Sequence, residues 1–192
     1  MKKLGYLSVI ALMAFTFQSC NSNSKNSNDA DSLAMDTTMH SDTTGAMAVD
    51  QDDTEFAGKA AVGGMAEVEF GKIALSKSTN AEVKAFAEMM VNDHGKANEE
   101  LKTIATSKNI ALPTSLDEEH TKKMNDLNKL TGRDFDKEYV NAMVDGHKKT
   151  LDLMEKEAKD GKDAELRAFA SKTAPIVKAH LDKIQKINDS MK

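Results

Sequence analysis

The chain has 192 residues, enough for one domain with tails. Aromatic residues make up 5%, tryptophan is absent and proline occurs only twice, a composition that favours helix over sheet. The formal net charge of -5 leaves no basic footprint for nucleic acid or for docking to an anionic membrane, and a single cysteine excludes an intramolecular disulfide.

Met1–Ser19 opens with Lys2 and Lys3 before an apolar run from Leu4 to Phe17, too short for the roughly 20 residues of a membrane span. A charged start, a short apolar middle and small Ser19 ahead of Cys20 predict a bacterial lipoprotein-type signal peptide. Cys20 would then be the lipidated first residue after cleavage. From Cys20 to Asp53 the chain is rich in Ser, Asn, Asp and Thr without an apolar period, and seven aspartates face Lys25 alone. It reads as a disordered acidic tether. Met35, Met39, His40 and Met47 lie in it without a fixed spacing, so they predict no metal site.

Residues 54–192 read as a helical domain. The first helix is predicted over about Thr54–Ser78, with Phe56, Ala60, Gly63, Phe70 and Ala74 inward and Glu67 on the same stripe. Gly63-Gly64 within it points to close packing or a bend. Thr79-x-x-Glu82 reads as a capping box for a second helix over Asn80–Lys108, whose apolar stripe contains His94. Pro113 breaks the chain, and Ser115-x-x-Glu118 reads as a second capping box before a short helix carrying His120. Thr131-Gly132 ends that helix. The third main helix, about Arg133–Lys159, turns Tyr139, Met143, His147 and Met154 inward, and Asp160-Gly161 closes it. The last, about Asp163–Ser190, turns Phe169, Val177, His180 and Ile184 inward, with a kink or gap expected at Pro175.

Asn80–Ala87 reads NAEVKAFA and Asp163–Ala170 reads DAELRAFA. Each stretch opens the second helix of a hairpin. Two related hairpins joined by a crossover with a short helix predict an all-α, ferritin-like four-helix bundle.

Of the five histidines, four occupy inward stripes: His94, His120, His147 and His180. Counted along their helices, Glu67, His94 and His147 fall at one level. His180 is expected a turn or more away, and His120 apart on the crossover. Imidazoles with a carboxylate inside a bundle suit zinc, copper or iron, with Asp93 and Asp145 placed to orient rings from behind. The residues three before His94, His147 and His180 are Val91, Val144 and Val177, so the Glu-x-x-His pattern of ferritin-like di-iron sites is absent there. The alternative is that these histidines hydrogen-bond internally and fix helix register. A His-Asp pair would suit acid–base chemistry, but no nucleophile Ser or Cys and no glycine-rich phosphate loop accompanies it.

The run Gly63-Gly64-Met65-Ala66-Glu67-Val68-Glu69, then Val83-Lys84-Ala85-Phe86-Ala87 and Met90-Val91-x-Asp93-His94, resembles the exported bacterial family named domain of unknown function 4142. Leu112-Pro113, Leu116-Asp117, His120, Phe135-Asp136-x-x-Tyr139 and His180-Leu181 continue the resemblance. It implies a ferritin-like bundle in the cell envelope and no particular activity. The resulting expectation is a lipid-anchored, periplasm-facing outer-membrane protein, non-catalytic, acting in binding or stress protection. The alternative is a metal-binding or redox protein using Glu67, His94, His147 and His180.

Overall fold

The computed structural model describes residues 49–192. The expected signal peptide, Cys20 and the tether up to residue 48 lie outside the described residues. Within them, helix α1 spans Gln51–Lys77, α2 Ala81–Met89, a π-helical turn Met90–His94, α3 Gly95–Ser107, α4 Glu118–Lys129, α5 Gly132–Asp160 and α6 Ala164–Ser190. No strand occurs among the described residues. Helix α2, the π turn and α3 follow one another without a break and form one long rod.

The helix ends follow local side-chain chemistry. Helix α1 starts three residues before the expected Thr54, because Asp50 caps it and accepts from the Asp52 N–H at 3.0 Å. Asp52 and Asp53 then sit at the positive pole of the helix, which favours acidic groups. Neither predicted capping box forms. Asn80, not Thr79, caps α2 through its Oδ1, at 2.9 Å from Glu82 N and 3.3 Å from Val83 N. Asp117, not Ser115, caps α4 by accepting from His120 N at 2.8 Å. In both cases the Asx residue nearest the helix takes the role, in keeping with the strong preference for Asn and Asp there. Asp163 caps α6 as Asn80 caps α2, with 3.0 Å to both Glu165 N and Leu166 N. The two sequence echoes are thus the same structural unit used twice. Gly132 opens α5 at φ +57, a conformation that favours glycine. Helix α6 continues through Pro175, which lies on its exposed face, where water can satisfy a freed carbonyl.

Two long-range contacts orient the bundle. Asp53, near the start of α1, accepts from the backbone N–H of Lys162, just beyond α5. Lys77, at the end of α1, donates to the carbonyl of Leu130, just before α5. Helices α1 and α5 are therefore antiparallel, and their hairpin partners make the α2–α3 rod parallel to α5. The crossover between the hairpins carries α4. This is the ferritin-like plan.

The core divides into two apolar clusters. One gathers Phe70, Phe86, Met90, Tyr139, Leu181 and Ile184. The other gathers Phe56, Ala57, Leu101, Met154, Leu166 and Phe169. Near the level where they meet, each long rod buries a titratable residue: Glu67, His94, His147 or His180.

Glycine serves the packing differently from the expectation at Gly63-Gly64. A Cβ on Gly63 would meet only Thr150 Oγ1 at 3.8 Å, and one on Gly64 would press on the Asn98 side chain rather than on backbone. The close helix crossing is at Gly71, where a Cβ would lie 3.1 Å from the Ala87 carbonyl and 3.1 Å from Val91 Cγ2. Replacing a helical glycine by alanine gains about 0.5–1 kcal/mol where there is room, whereas overpacking costs about 1–3 kcal/mol. Urea denaturation is therefore expected to find Gly63→Ala more stable than the parent and Gly71→Ala less stable.

Candidate functional site

Each of the four long helical rods contributes one polar side chain to the layer between the apolar clusters. Glu67 comes from α1 and is 4% exposed. His94 comes from the π turn, His147 from α5 and His180 from α6, all three buried. Their ring centroids stand 5.3 to 5.7 Å apart, and Phe86 lies against His147 and His180 at 5.8 and 6.3 Å.

The π turn matters to this arrangement. It widens the helix locally, so that the consecutive residues Asp93 and His94 both reach polar partners. His94 Nδ1 lies 2.8 Å from Glu67 Oε2, close enough for an ion pair though poorly aligned for a hydrogen bond. Asp93 instead reaches across to His180 Nε2 at 3.1 Å. His147 Nδ1 is 2.8 Å from the main-chain carbonyl of Met143 and 3.5 Å from Glu67 Oε1. Thr150 Oγ1 stands 3.5 Å from the same Glu67 oxygen.

Each ring therefore has one nitrogen facing an oxygen acceptor, which places the hydrogen on that nitrogen. The other nitrogens, Nε2 of His94, Nε2 of His147 and Nδ1 of His180, are buried without a hydrogen-bond partner. One ring nitrogen from each histidine can be chosen so that all three lie within 4.8 Å of one another. A cavity of about 10 Å³ adjoins Glu67 and His94, with Asn98, Thr150 and Thr173 among its walls.

The electrostatics set one buried carboxylate against three imidazoles. Burial works against the charge of Glu67, but His94, His147 and His180 hold its carboxyl down at about 2. Burial likewise opposes a charge on His94, yet Glu67 more than compensates and raises it above the ordinary histidine value. His147 is lowered by burial against the pull of Glu67. His180 is lowered to about 4, first by burial and then by the other two imidazoles, with Asp93 opposing. Two of the three rings are thus neutral near pH 7, and neutral imidazole is the form that donates to a metal.

The sequence-predicted residues fare unevenly. Glu67, His94 and His147 meet at one level, as counted. His180 joins them, contrary to the expected displacement of a turn or more. Helical side chains lean toward their own N-terminus, so on antiparallel α5 and α6 the leans of His147 and His180 close the gap between their backbones. Asp93 backs a ring, but that of His180. Asp145 does not: it lies on the exposed face of α5, away from the layer. His120 is also not turned into the core. It is half-buried on α4, with Nδ1 2.6 Å from Asp117. Sequence reasoning missed Thr150, one helical turn beyond His147, and the Met143 carbonyl, which carries no side-chain signal. Tyr139 was expected only as core, yet its buried hydroxyl has no partner, and burial together with the charge of Glu67 pushes the phenol above its ordinary value.

A group whose folded pKa lies below its unfolded one stabilises the fold above the unfolded value and ceases to do so as pH falls to the folded value. For His180 that window runs from 6.5 down to about 4. At about 1.36 kcal/mol per unit, the loss across it is on the order of 3 kcal/mol. Chemical denaturation of chelated protein is expected to find a larger acid-linked loss in the parent than in His180→Gln, which keeps the share due to His147.

Comparison with known proteins adds two likenesses. Residues 38–187 match the family model described as Domain of unknown function (DUF4142). The fold resembles the crystal structure of a DUF305 fragment from Deinococcus radiodurans, with a TM-score of 0.66 at 9% identity, over 74% of this chain and 98% of that one. At that identity the likeness concerns the fold alone. No curated protein matches the chain.

Proposed function

The chain belongs to the DUF4142 family, whose description assigns no activity, and we propose that it is a metal-binding protein holding one transition-metal ion inside the bundle. The observation that carries this reading is that three buried histidines can each bring one ring nitrogen within 4.8 Å of the other two, while each also keeps one buried nitrogen without a hydrogen-bond partner. Unpaired buried polar atoms are costly, typically about 1–3 kcal/mol each, and three in one place call for a shared partner. Backing of ring nitrogens by carboxylate or carbonyl is the usual support of metal-ligating histidines. His94, His147 and His180 would supply the ligands. Glu67 would back His94 and His147, and Asp93 would back His180.

An all-imidazole set with no thiolate suits zinc, copper or iron. Metal–nitrogen bonds of about 2.0–2.1 Å bring such nitrogens to roughly 3.4 Å from one another, so the rings need close by little more than an ångström. A divalent ion would also balance the negative charges of Glu67 and Asp93 in a medium where unbalanced charge is expensive.

Equilibrium dialysis against zinc, copper and iron salts, followed by elemental analysis, is expected to find about one equivalent of a single ion. His147→Ala should lose it. Glu67→Gln, which removes a backing charge and no ligand, should weaken binding by about 10–100-fold. Substoichiometric metal under all three salts, with His94→Ala equally destabilising with and without metal, would instead assign the rings to helix register.

The same reading takes the protein as anchored in the cell envelope through Cys20, on the strength of the lysines, short apolar run and serine that precede it. Fractionation of cells expressing Cys20→Ser is expected to release the protein from the membrane fraction. Retention equal to that of the parent would remove the anchor.

A further inference from the structure

A second group of buried charge stands apart from the histidines, where α1 begins, α5 ends and α6 begins. A cavity of about 120 Å³ lies there, lined by Asp52, Asp53, Glu157 and Asp160 with apolar Phe56 and Leu153. Glu55 and three lysines share its border. Lys59 pairs with Glu55, Lys162 pairs with Asp50 at 2.7 Å, and Lys156 adds to the lowering of Glu55.

Two of the carboxylates are buried. Asp53 is 1% exposed and accepts from Lys162 N at 2.9 and 3.2 Å and from Asp163 N at 2.6 Å. These contacts occupy three of its roughly four lone-pair positions. Glu157 is 6% exposed, and its Oε1 has no hydrogen-bond partner. Its carboxylate folds over the end of its own helix into the space beside Gly161, where a Cβ would collide with that carboxylate and with the Glu157 main-chain carbonyl at 2.7 Å. That end is the negative pole of α5, with carbonyls that lack helical partners. Burial and the charges of Asp53 and Asp163 push Glu157 up to about 7, Arg167 opposing. As an anion in such surroundings Glu157 is poorly tolerated unless a proton or a cation joins it.

We propose that Glu157 and Asp53 bind a hard divalent cation, of the calcium or magnesium class, in this cavity. Carboxylate oxygens, helix-end carbonyls and water are the donors such ions take, and no imidazole or thiol is present to favour a softer metal. Asp52 and Asp160 supply further negative charge at the rim. The ion would tie the start of α1 to the α5–α6 turn, the junction that Asp53 already bridges. This site is independent of the histidine layer.

Thermal melting of the chelated protein at pH 7.5, with calcium or magnesium added back, tests it. At a hundredfold excess over Kd, one of the two ions is expected to raise Tm by about 5–10 °C. Glu157→Gln should melt no lower than the unliganded parent, because the amide carries no charge, and should not respond to the ion. His147→Ala should keep the response, which separates this site from the layer above. Gly161→Ala keeps every carboxylate but crowds both the side chain and the main-chain carbonyl of Glu157, and should weaken calorimetric ion affinity on the order of tenfold or more. No response of the parent to either ion, an undiminished response in Glu157→Gln, or unchanged affinity in Gly161→Ala would each overturn the proposal.

Discussion

A carboxylate buried in the middle of a helical bundle must find positive charge or hydrogen-bond donors nearby, and Glu67 sets that requirement for the whole domain. An isolated ionised group there would be neutralised or would unfold its surroundings. Glu67 instead draws His94 and His147 from neighbouring helices, one to each of its oxygens. Those rings stand 5.3 and 5.7 Å, centre to centre, from that of His180, which Asp93 steadies from behind. One charge therefore fixes the rotation of three helices about their axes. Apolar contacts above and below the layer supply most of the stability, but they tolerate sliding. A layer of paired polar groups does not, because a shift by one turn would strand each member without its partner.

The π turn is the local device that makes this possible on the second rod. In a regular α-helix, adjacent residues diverge by about 100°, and a π turn, with more residues per turn, narrows that angle. The widened turn lets His94 reach back to Glu67 on α1 while Asp93 reaches His180 on α6. It introduces poorer backbone bonding in the middle of a long helix, a distortion that commonly accompanies functional sites. The distortion falls between the two apolar clusters, where side-chain packing is already interrupted by the polar layer.

Much of this was legible in the residues. Apolar spacing located every long helix, because burial on one face imposes the 3.6-residue period whatever the partner. The shared NAEVKAFA and DAELRAFA stretches correctly marked the second helix of each hairpin, since the same cap and the same three buried positions recur. Levels counted from helix ends brought Glu67, His94 and His147 together. The same arithmetic misplaced His180, because counting backbones ignores the lean of side chains on antiparallel helices. It also gave Asp145 a role on proximity in sequence alone, although its helical phase turns it outward. The π turn left no trace in composition or period, and the Met143 carbonyl has no side chain to read. His120 lay on the apolar stripe of a short helix, but that helix packs at the margin of the bundle, where an inward stripe does not reach the centre.

Glu67 and Glu157 show how one residue type takes opposite characters within a single fold. Both are more than nine-tenths buried, so burial alone would raise both. Glu67 lies mid-helix among three imidazoles and is held at about 2. Glu157 lies at a negative helix end, close to Asp53, and rises to about 7. The first is an anion whose neighbours compensate it, so its lasting effect is to orient rings and leave nitrogen lone pairs free. The second is an anion whose neighbours repel it, so its lasting effect is an unmet demand for positive charge. Such demands differ in kind: uncommitted nitrogens favour a borderline metal, and uncommitted oxygens favour a hard one. The chain places them in separate parts of the bundle, on α1 and α5 in both cases, so the antiparallel pairing of those two helices frames both sites.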